Sequence, residues 1–181
     1  MQHHQPGFSL VESVVTLAVL GSVAAVAVPS MAEVVQGLRL QAVAGDVFHP
    51  LLLARSEAIK RNTRVALCKS ADGASCAEGG SWGQGWIVFQ DTNNSGTREP
   101  HEPVLQAVRR VPADFRVRAN DPLDQYVSYG PMGGAQLTSG AFQAGTFTVC
   151  RVSAGRTEAR QVIINAGGRP RVQQVWLEAC S

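Results

Sequence analysis

The hydrophobic pattern divides the chain into three parts. Residues 8–28 form an almost unbroken apolar run whose single charge is Glu12, and at about 1.5 Å per residue this run makes a helix long enough to cross a bilayer. From Leu40 to Ala58, apolar residues recur at steps of three and four, which predicts an amphipathic helix. After Thr63 the pattern changes to short β-branched and aromatic runs between turn residues, which predicts strands.

The amphipathic segment carries its own local signals. Its predicted apolar face consists of Leu40, Val43, Val47, Leu51, Ala54 and Ala58. Pro50 removes one backbone hydrogen bond, so we expect it to kink the helix or split it near residues 47–49. Glu57 and Arg61 are spaced four apart and form a predicted ion pair, and Asn62 ends the helical pattern.

Only strands are predicted after this helix. They cover residues 64–68, 85–90, 104–109, 115–118, 126–129, 146–152, 161–165 and 171–176. A helix followed only by strands implies an antiparallel β-sheet packed on that helix, which is an α+β architecture. A chain of 181 residues has room for one such globular domain in addition to its apolar N-terminus.

Charge adds information through its distribution rather than its sum. The formal net charge of +2 is too small to indicate a partner. Between residues 104 and 181, however, nine arginines stand against five acidic residues, and lysine is absent. The positive charge of this half is therefore carried entirely by guanidinium groups.

Four cysteines are present, and no C-x-x-C pair is among them, which argues against a zinc ribbon or a thioredoxin-type redox motif. In an exported domain, four cysteines imply two disulfide bonds, with three possible connectivities. Loop length favours Cys68–Cys76 and, by elimination, Cys150–Cys180. In a cytosolic protein the same residues would be buried thiols.

The N-terminal residues Gly7-Phe8-Ser9-Leu10-Val11-Glu12 resemble the signature of type IV prepilins and type II secretion pseudopilins. The resemblance implies that a prepilin peptidase cuts between Gly7 and Phe8 and methylates the new Phe8 amine. It also implies that Glu12 neutralises the N-terminal amine of a neighbouring subunit during filament assembly. Such a partner offsets the cost of a carboxylate in a membrane helix, about 2.5–3.5 kcal/mol at mid-membrane.

Two further features bear on this resemblance. Pro29 stands at the twenty-second position after the predicted cleavage site, where pilins commonly have proline. The leader, in contrast, holds His3 and His4 but no lysine or arginine, whereas family leaders usually carry positive charge. The alternative is an ordinary single-span anchor in which Glu12 lies at the membrane interface.

Later segments resemble the GspH/FimT family of minor pilins and pseudopilins. They are residues 54–59, residues 85–91 with Asn93 and Gly96, and residues 162–165 leading into 167–171. The resemblance implies a type IV pilin-like fold with a leader (1–7), a membrane-spanning segment (8–28), an amphipathic helix (29–62) and a β-rich domain (63–181). It also implies a single pass through the bacterial inner membrane, a periplasmic domain, and assembly with other pilins at the cell surface.

The tetrad Gly168-Arg169-Pro170-Arg171 resembles the motif by which FimT-type minor pilins bind DNA during natural transformation. Arg151, Arg156 and Arg160 precede it closely. If strands 146–152 and 161–165 pair as a hairpin, the turn 153–159 and the Gly-rich tail would present these guanidinium groups along one edge. Guanidinium groups match phosphate oxygens without reading sequence. The alternative is a solvated basic edge used for subunit contacts.

Other chemistry has weaker support. Asp91-Thr-Asn-Asn-Ser-Gly with Glu102 nearly fits a calcium loop, but Asx turns between strands explain the same residues. Trp82, Trp86 and Trp176 are interpreted as core or sheet-face residues rather than base-stacking platforms. We predict no catalytic residues, no metal and no cofactor, because His49 and His101 are isolated and no catalytic or phosphate-loop pattern is present.

These observations favour a FimT-type minor pilin of a type IV pilus, whose exported domain binds DNA through an arginine-rich surface. The alternative is a GspH-type minor pseudopilin, which helps to initiate the short periplasmic filament of a type II secretion system and does not bind DNA. The tetrad separates the two hypotheses, because a pseudopilin has no need of a phosphate-binding tail.

Overall fold

The computed structural model describes residues 9–181, apart from the side chains of Val26, Val28, Pro29, Ser30 and Ala32. The helix α1 (Leu10–Arg61) is followed by β1 (Val65–Lys69), a 3₁₀ turn (Trp82–Gln84), β2 (Trp86–Gln90), β3 (Val104–Val108), β4 (Phe115–Ala119), β5 (Tyr126–Tyr129), β6 (Gly145–Arg151), β7 (Thr157–Ile164) and β8 (Pro170–Leu177). The chain divides into two compact units between Arg39 and Leu40.

Within the described residues, no helical segment combines the length and the apolar character needed to cross a membrane. The predicted span, residues 8–28, includes Phe8 and the side chains of Val26 and Val28, which lie outside the described part of the chain.

The second half of α1 is built as the hydrophobic spacing predicts. All six residues of the predicted apolar face are buried. The helix runs unbroken through Pro50, so the predicted alternative of a split near residues 47–49 is wrong. A proline deletes only its own N–H bond, and the buried residues on either side hold the helix against the sheets.

The helix ends in a Schellman motif. Asn62 adopts a left-handed backbone with φ of 50°, and its N–H donates to Ile59 O at 3.3 Å. The N–H of Thr63 reaches back to Ala58 O at 3.2 Å, which satisfies carbonyls at the helix end. Glu57 forms the predicted ion pair with Arg61 and a second one with Lys60 at 3.6 Å.

The strands form two antiparallel sheets of four. Sheet A has the order β3-β2-β1-β5, and sheet B has the order β4-β6-β7-β8. Each predicted strand is present with ends within one residue of prediction, except that β7 begins at Thr157 rather than at residue 161. Both sheets contribute to one core around α1, which includes Leu51 and Ala54 from the helix, Leu67 from sheet A, and Val149 and Val162 from sheet B. The α+β prediction of a helix packed on antiparallel strands is confirmed.

Candidate functional site

The tetrad lies at the turn between β7 and β8. Gly168 donates its N–H to Asn165 O at 2.8 Å, and the side chain of Asn165 accepts the N–H of Arg169 at 3.1 Å. Gly168 is buried and has φ of +72°. A Cβ at this position would lie 2.4 Å from Gly133 O, so only glycine fits against the loop that contains Gly133.

The two arginines of the tetrad are exposed. Val162 and Ile164 point into the core, so the intervening Ile163 and its β8 partner Arg171 face away from the core. Arg169 lies just before β8. Among the described residues, no ion pair or side-chain hydrogen bond occupies either guanidinium group. Both are therefore available to an anionic partner.

Of the other three predicted DNA contacts, Arg151 and Arg156 lie at the opposite end of sheet B, and Arg160 lies in the middle of β7. Strands β6 and β7 form the predicted hairpin, but its turn occupies residues 152–156 rather than 153–159. This turn and the β7–β8 turn are at opposite ends of β7, which has eight residues and is about 23 Å long. The prediction that all five arginines line one edge is wrong, because successive hairpin turns in a meander alternate between sheet ends.

Each of these three arginines has a distinct environment. Arg160 lies beside the core residue Val149, is ion-paired with Glu158, and leaves only 16% of its side chain exposed. Arg156 lies over the ring of Trp176, with 5.1 Å from its Cζ to the ring centroid. Arg151 is exposed at the end of β6. Arg160 is thus partly neutralised, while Arg151 and Arg156 remain on the surface.

The end of sheet B that contains the start of β4 and the β6–β7 turn is called the lower end. The tertiary structure brings other arginines to this lower end. Arg109 and Arg110 follow β3, and Arg116 lies in β4 beside Phe115, which pairs with Arg151. The sequence pattern by itself predicts no site that includes these three arginines. The sequence does show two adjacent arginines after a predicted strand. Their neighbours in the fold can be identified only once the pairing of the strands is known.

The calcium-like loop is held by backbone hydrogen bonds. The carboxylate of Asp91 accepts the N–H groups of Ser95 at 2.9 Å and Gly96 at 3.1 Å. The carboxylate of Glu102 accepts the N–H groups of Thr92 at 2.7 Å and Glu99 at 3.1 Å. Hydrogen bonding, first from Asn93, lowers the pKa of Glu99. The N–H of Ser95 also donates to Asn93 Oδ1 at 3.1 Å, which is the Asx turn of the second interpretation, and the described residues form no metal-binding cluster.

Two disulfide bonds are present, Cys68–Cys76 and Cys150–Cys180, which is the pairing that loop length favours. The first closes the loop after β1. The second fastens the C-terminal residues to β6, where Ser153 and Cys180 also exchange backbone hydrogen bonds of 2.9 and 3.0 Å. One disulfide bond is thus attached to sheet A and the other to sheet B.

The three tryptophans differ in exposure to solvent. Trp82 and Trp86 are buried, and the indole N–H of Trp82 donates to Leu123 O at 3.1 Å. Trp176 in contrast is 57% exposed on the edge strand β8. A stacking role is therefore open only to Trp176, and one face of its ring is covered by Arg156.

The N-terminal signature is described only in part, because Gly7 and Phe8 lie outside the described residues. Ser9 caps α1, since its side-chain oxygen accepts the N–H of Glu12 at 3.2 Å. Glu12 thus stands in the first helical turn, where the helix dipole also favours a carboxylate. This local effect is compatible with a role in assembly and does not require one.

The family model described as type II transport protein GspH matches residues 44–168. No curated protein matches the chain.

Two crystal structures of the type IV minor pilin FimU from Pseudomonas aeruginosa PAO1 share the fold. One has a TM-score of 0.56 and 18% identity, and the match covers 78% of this chain and 100% of the FimU chain in that crystal structure. The other has a TM-score of 0.55 and 17% identity, and covers 81% and 98%. The chain belongs to the GspH family, and it is a minor pilin or pseudopilin of the type IV pilus and type II secretion class.

Proposed function

We propose that the chain is a minor pilin of a type IV pilus whose exported domain binds DNA for uptake through Arg169 and Arg171. The observation that carries this proposal is the exposure of both guanidinium groups at one turn, free of carboxylate partners among the described residues. Buried Gly168 supports the turn from beneath. Arg forks bind phosphate oxygens in a geometry that does not depend on base sequence.

The proposal includes processing and anchoring of the N-terminus. Prepilin peptidase removes residues 1–7 and methylates Phe8, and residues 8–28 hold the chain in the inner membrane before assembly. Large apolar side chains of the first unit, including Leu10, Leu17, Leu20 and Val23, are more than 60% exposed. Such a surface calls for lipid or for the helices of neighbouring pilins. In the filament, Glu12 would pair with the free amine of another subunit.

A second candidate is a minor pseudopilin of a type II secretion system. It is favoured by the family description, which names a type II transport protein. In that function the arginines of the tetrad would contact neighbouring subunits or solvent. Binding to DNA separates the two candidates.

The test is a gel shift of the full chain in detergent micelles with a short DNA duplex. Because each phosphate contact contributes about −0.9 to the slope of log K against log salt, Arg169→Ala/Arg171→Ala should make this negative slope shallower by about 1.8. Lys60→Ala/Arg61→Ala is the matched control, because it removes the same net charge from the end of α1.

The outcomes separate the hypotheses. Loss of binding in the tetrad variant, with the control unchanged, supports the DNA-binding surface. Equal binding by the tetrad variant rejects the tetrad as the contact. If the unmodified chain does not shift DNA even at low salt, the DNA-uptake function is rejected and the pseudopilin candidate stands.

A further inference from the structure

A cleft opens between the 3₁₀ turn and the connection from β3 to β4. It has a volume of about 380 Å³, and its polar wall consists of Ser81, Gln84, Arg110 and Arg116. A second hollow of about 500 Å³ shares Gln84 and Arg110 and is also lined by Arg109 and Asp72. Arg110 and Arg116 therefore line the cleft, and Arg109 joins Arg110 in the neighbouring hollow.

The cleft is held open by packing and backbone contacts. Val111 donates its N–H to Gly83 O at 3.1 Å, which fastens the β3–β4 connection to the 3₁₀ turn. Val111 and Phe115 are buried beneath the cleft at 7% and 3% exposure. Gly85 has φ of +111°, and a Cβ there would lie 2.6 Å from Val108 O, so the strands meet at a contact that only glycine permits. The site is therefore preformed.

The guanidinium groups in the cleft have unused hydrogen-bonding capacity. Arg116 donates to Ala113 O at 3.0 Å and to Phe115 O at 3.1 Å through one nitrogen, which orients the group. A guanidinium has five N–H donors, so its other nitrogens remain available. In the described part of the chain, no ion pair includes Arg109, Arg110 or Arg116.

The single acidic side chain of the two hollows is committed elsewhere. Asp72 accepts hydrogen bonds from Ser75 Oγ, from the N–H groups of Ala74 and Ser75 at 2.8 Å, and from Ser70 Oγ at 3.0 Å. These bonds, led by that of the Ser75 side chain, lower the pKa of Asp72, so it stays negative. Three arginines against one aspartate leave the lining at +2, with the excess on the side of Arg116.

We propose that this cleft binds a phosphate group between Arg110 and Arg116, on the side away from Asp72. Two guanidinium forks match the charge and the several oxygens of a phosphate, and Ser81 and Gln84 supply neutral polar atoms. The volume falls within the range of small-ligand sites, so the remainder of a phosphate ester has room. This site is separate from the tetrad and does not depend on the proposed DNA function.

The test uses the full chain in detergent micelles and inorganic phosphate. Phosphate replaces chloride at constant ionic strength while ¹H–¹⁵N spectra are recorded. Saturable shifts are expected for the amides of residues 81–84 and 110–116 and for the Arg116 side chain. Arg116→Gln should weaken binding about tenfold, because it removes charge-assisted hydrogen bonds.

The matched control is Arg118→Gln. Arg118 lies two residues further along β4, outside the cleft, and donates to the carbonyl of the terminal Ser181. The Arg118→Gln variant should bind phosphate with the same affinity as the unmodified chain. Should Arg116→Gln disturb amides outside the cleft, Arg110→Gln replaces it. The proposal is overturned if phosphate causes no saturable shifts. It is also overturned if the Arg110 and Arg116 variants bind phosphate as tightly as the unmodified chain does.

A competition arm identifies the source of the phosphate. A short DNA duplex that displaces inorganic phosphate from the cleft of the Arg169→Ala/Arg171→Ala chain assigns the site to the DNA backbone. Phosphate binding that the duplex does not disturb assigns it to a free phosphate or phosphate ester. A negative gel shift leaves the phosphate titration intact, so failure of the DNA proposal and failure of the cleft proposal give different results.

Discussion

Arg55 Nε donates a hydrogen bond of 2.9 Å to Gly133 O, the same carbonyl against which Gly168 packs. One backbone oxygen thus links α1 to the turn that carries the tetrad. Gly133 is itself confined, because a Cβ there would lie 2.8 Å from Ile59 of α1. The glycine of the tetrad therefore has a packing role in the fold, and the two arginines that follow it remain available to a ligand.

Gly168→Ala should destabilise the domain by about 1–3 kcal/mol, since it combines a positive φ with a backbone clash. Chemical denaturation measures this loss. Gly167→Ala is the control, because its Cβ would make only an ordinary contact of 3.5 Å with Asn165. Equal stability of the two variants would contradict the packing role.

Loss of the Cys150–Cys180 bond should cost more stability than loss of Cys68–Cys76. The sequence separations are 30 and 8 residues, and loop-closure entropy predicts losses of about 3.7 and 2.6 kcal/mol. Denaturation of the two double-alanine variants gives the order. Peptide mapping under non-reducing conditions checks the pairing directly, and a Cys68–Cys150 link would show it to be wrong.

The hydrogen bonds to Asp72 predict a pH-dependent contribution to stability. Its pKa is lowered from the ordinary 3.8, so the stabilisation is present above that value and is lost as pH falls through the lower, folded pKa. Asp72→Asn should therefore lower Tm at neutral pH, and the difference should shrink only below about pH 4. Glu78→Gln changes an exposed residue of the same loop and is the control, which should not show this loss of a Tm difference between neutral and acidic pH.

Acrylamide should quench a single class of tryptophan efficiently. Trp82 and Trp86 are buried, so Trp176 supplies the accessible emission. Arg156→Ala should increase its quenching because the guanidinium covers one ring face. Trp176→Phe should remove the accessible component. If quenching in Trp176→Phe equals that of the unmodified chain, the buried environment of the other two is wrong.

Mass spectrometry of exported protein should find a chain that begins at N-methylated Phe8. An intact Met1 would reject the prepilin interpretation. Glu12→Ala should be processed but enter filaments poorly, because no carboxylate meets the neighbouring amine. Filament entry equal to that of the unmodified chain would reject the proposed pairing, and Glu12→Asp provides a variant that retains the charge.

Much of the architecture follows from local patterns in the sequence. The apolar residues from Leu40 to Ala58 recur at the helical period and are buried, and the turn residues mark the strands to within one position at most ends. Short contiguous segments also predict the family, and the family model matches residues 44–168. The sequence pattern does not predict the start of β7, because Glu158 and Ala159 are residue types depleted in strands, and pairing with β6 and β8 makes residues 157–160 a strand.

The arrangement of the arginines was decided by tertiary structure. Proximity in sequence suggested that Arg151 to Arg171 share an edge, but antiparallel pairing places their two turns at opposite ends of β7. The same pairing brings Arg116 beside the end of β6 and completes a cleft with residues from the 3₁₀ turn. Side-chain period and turn chemistry are local and can be read along the chain, whereas which strands become neighbours depends on contacts between distant residues.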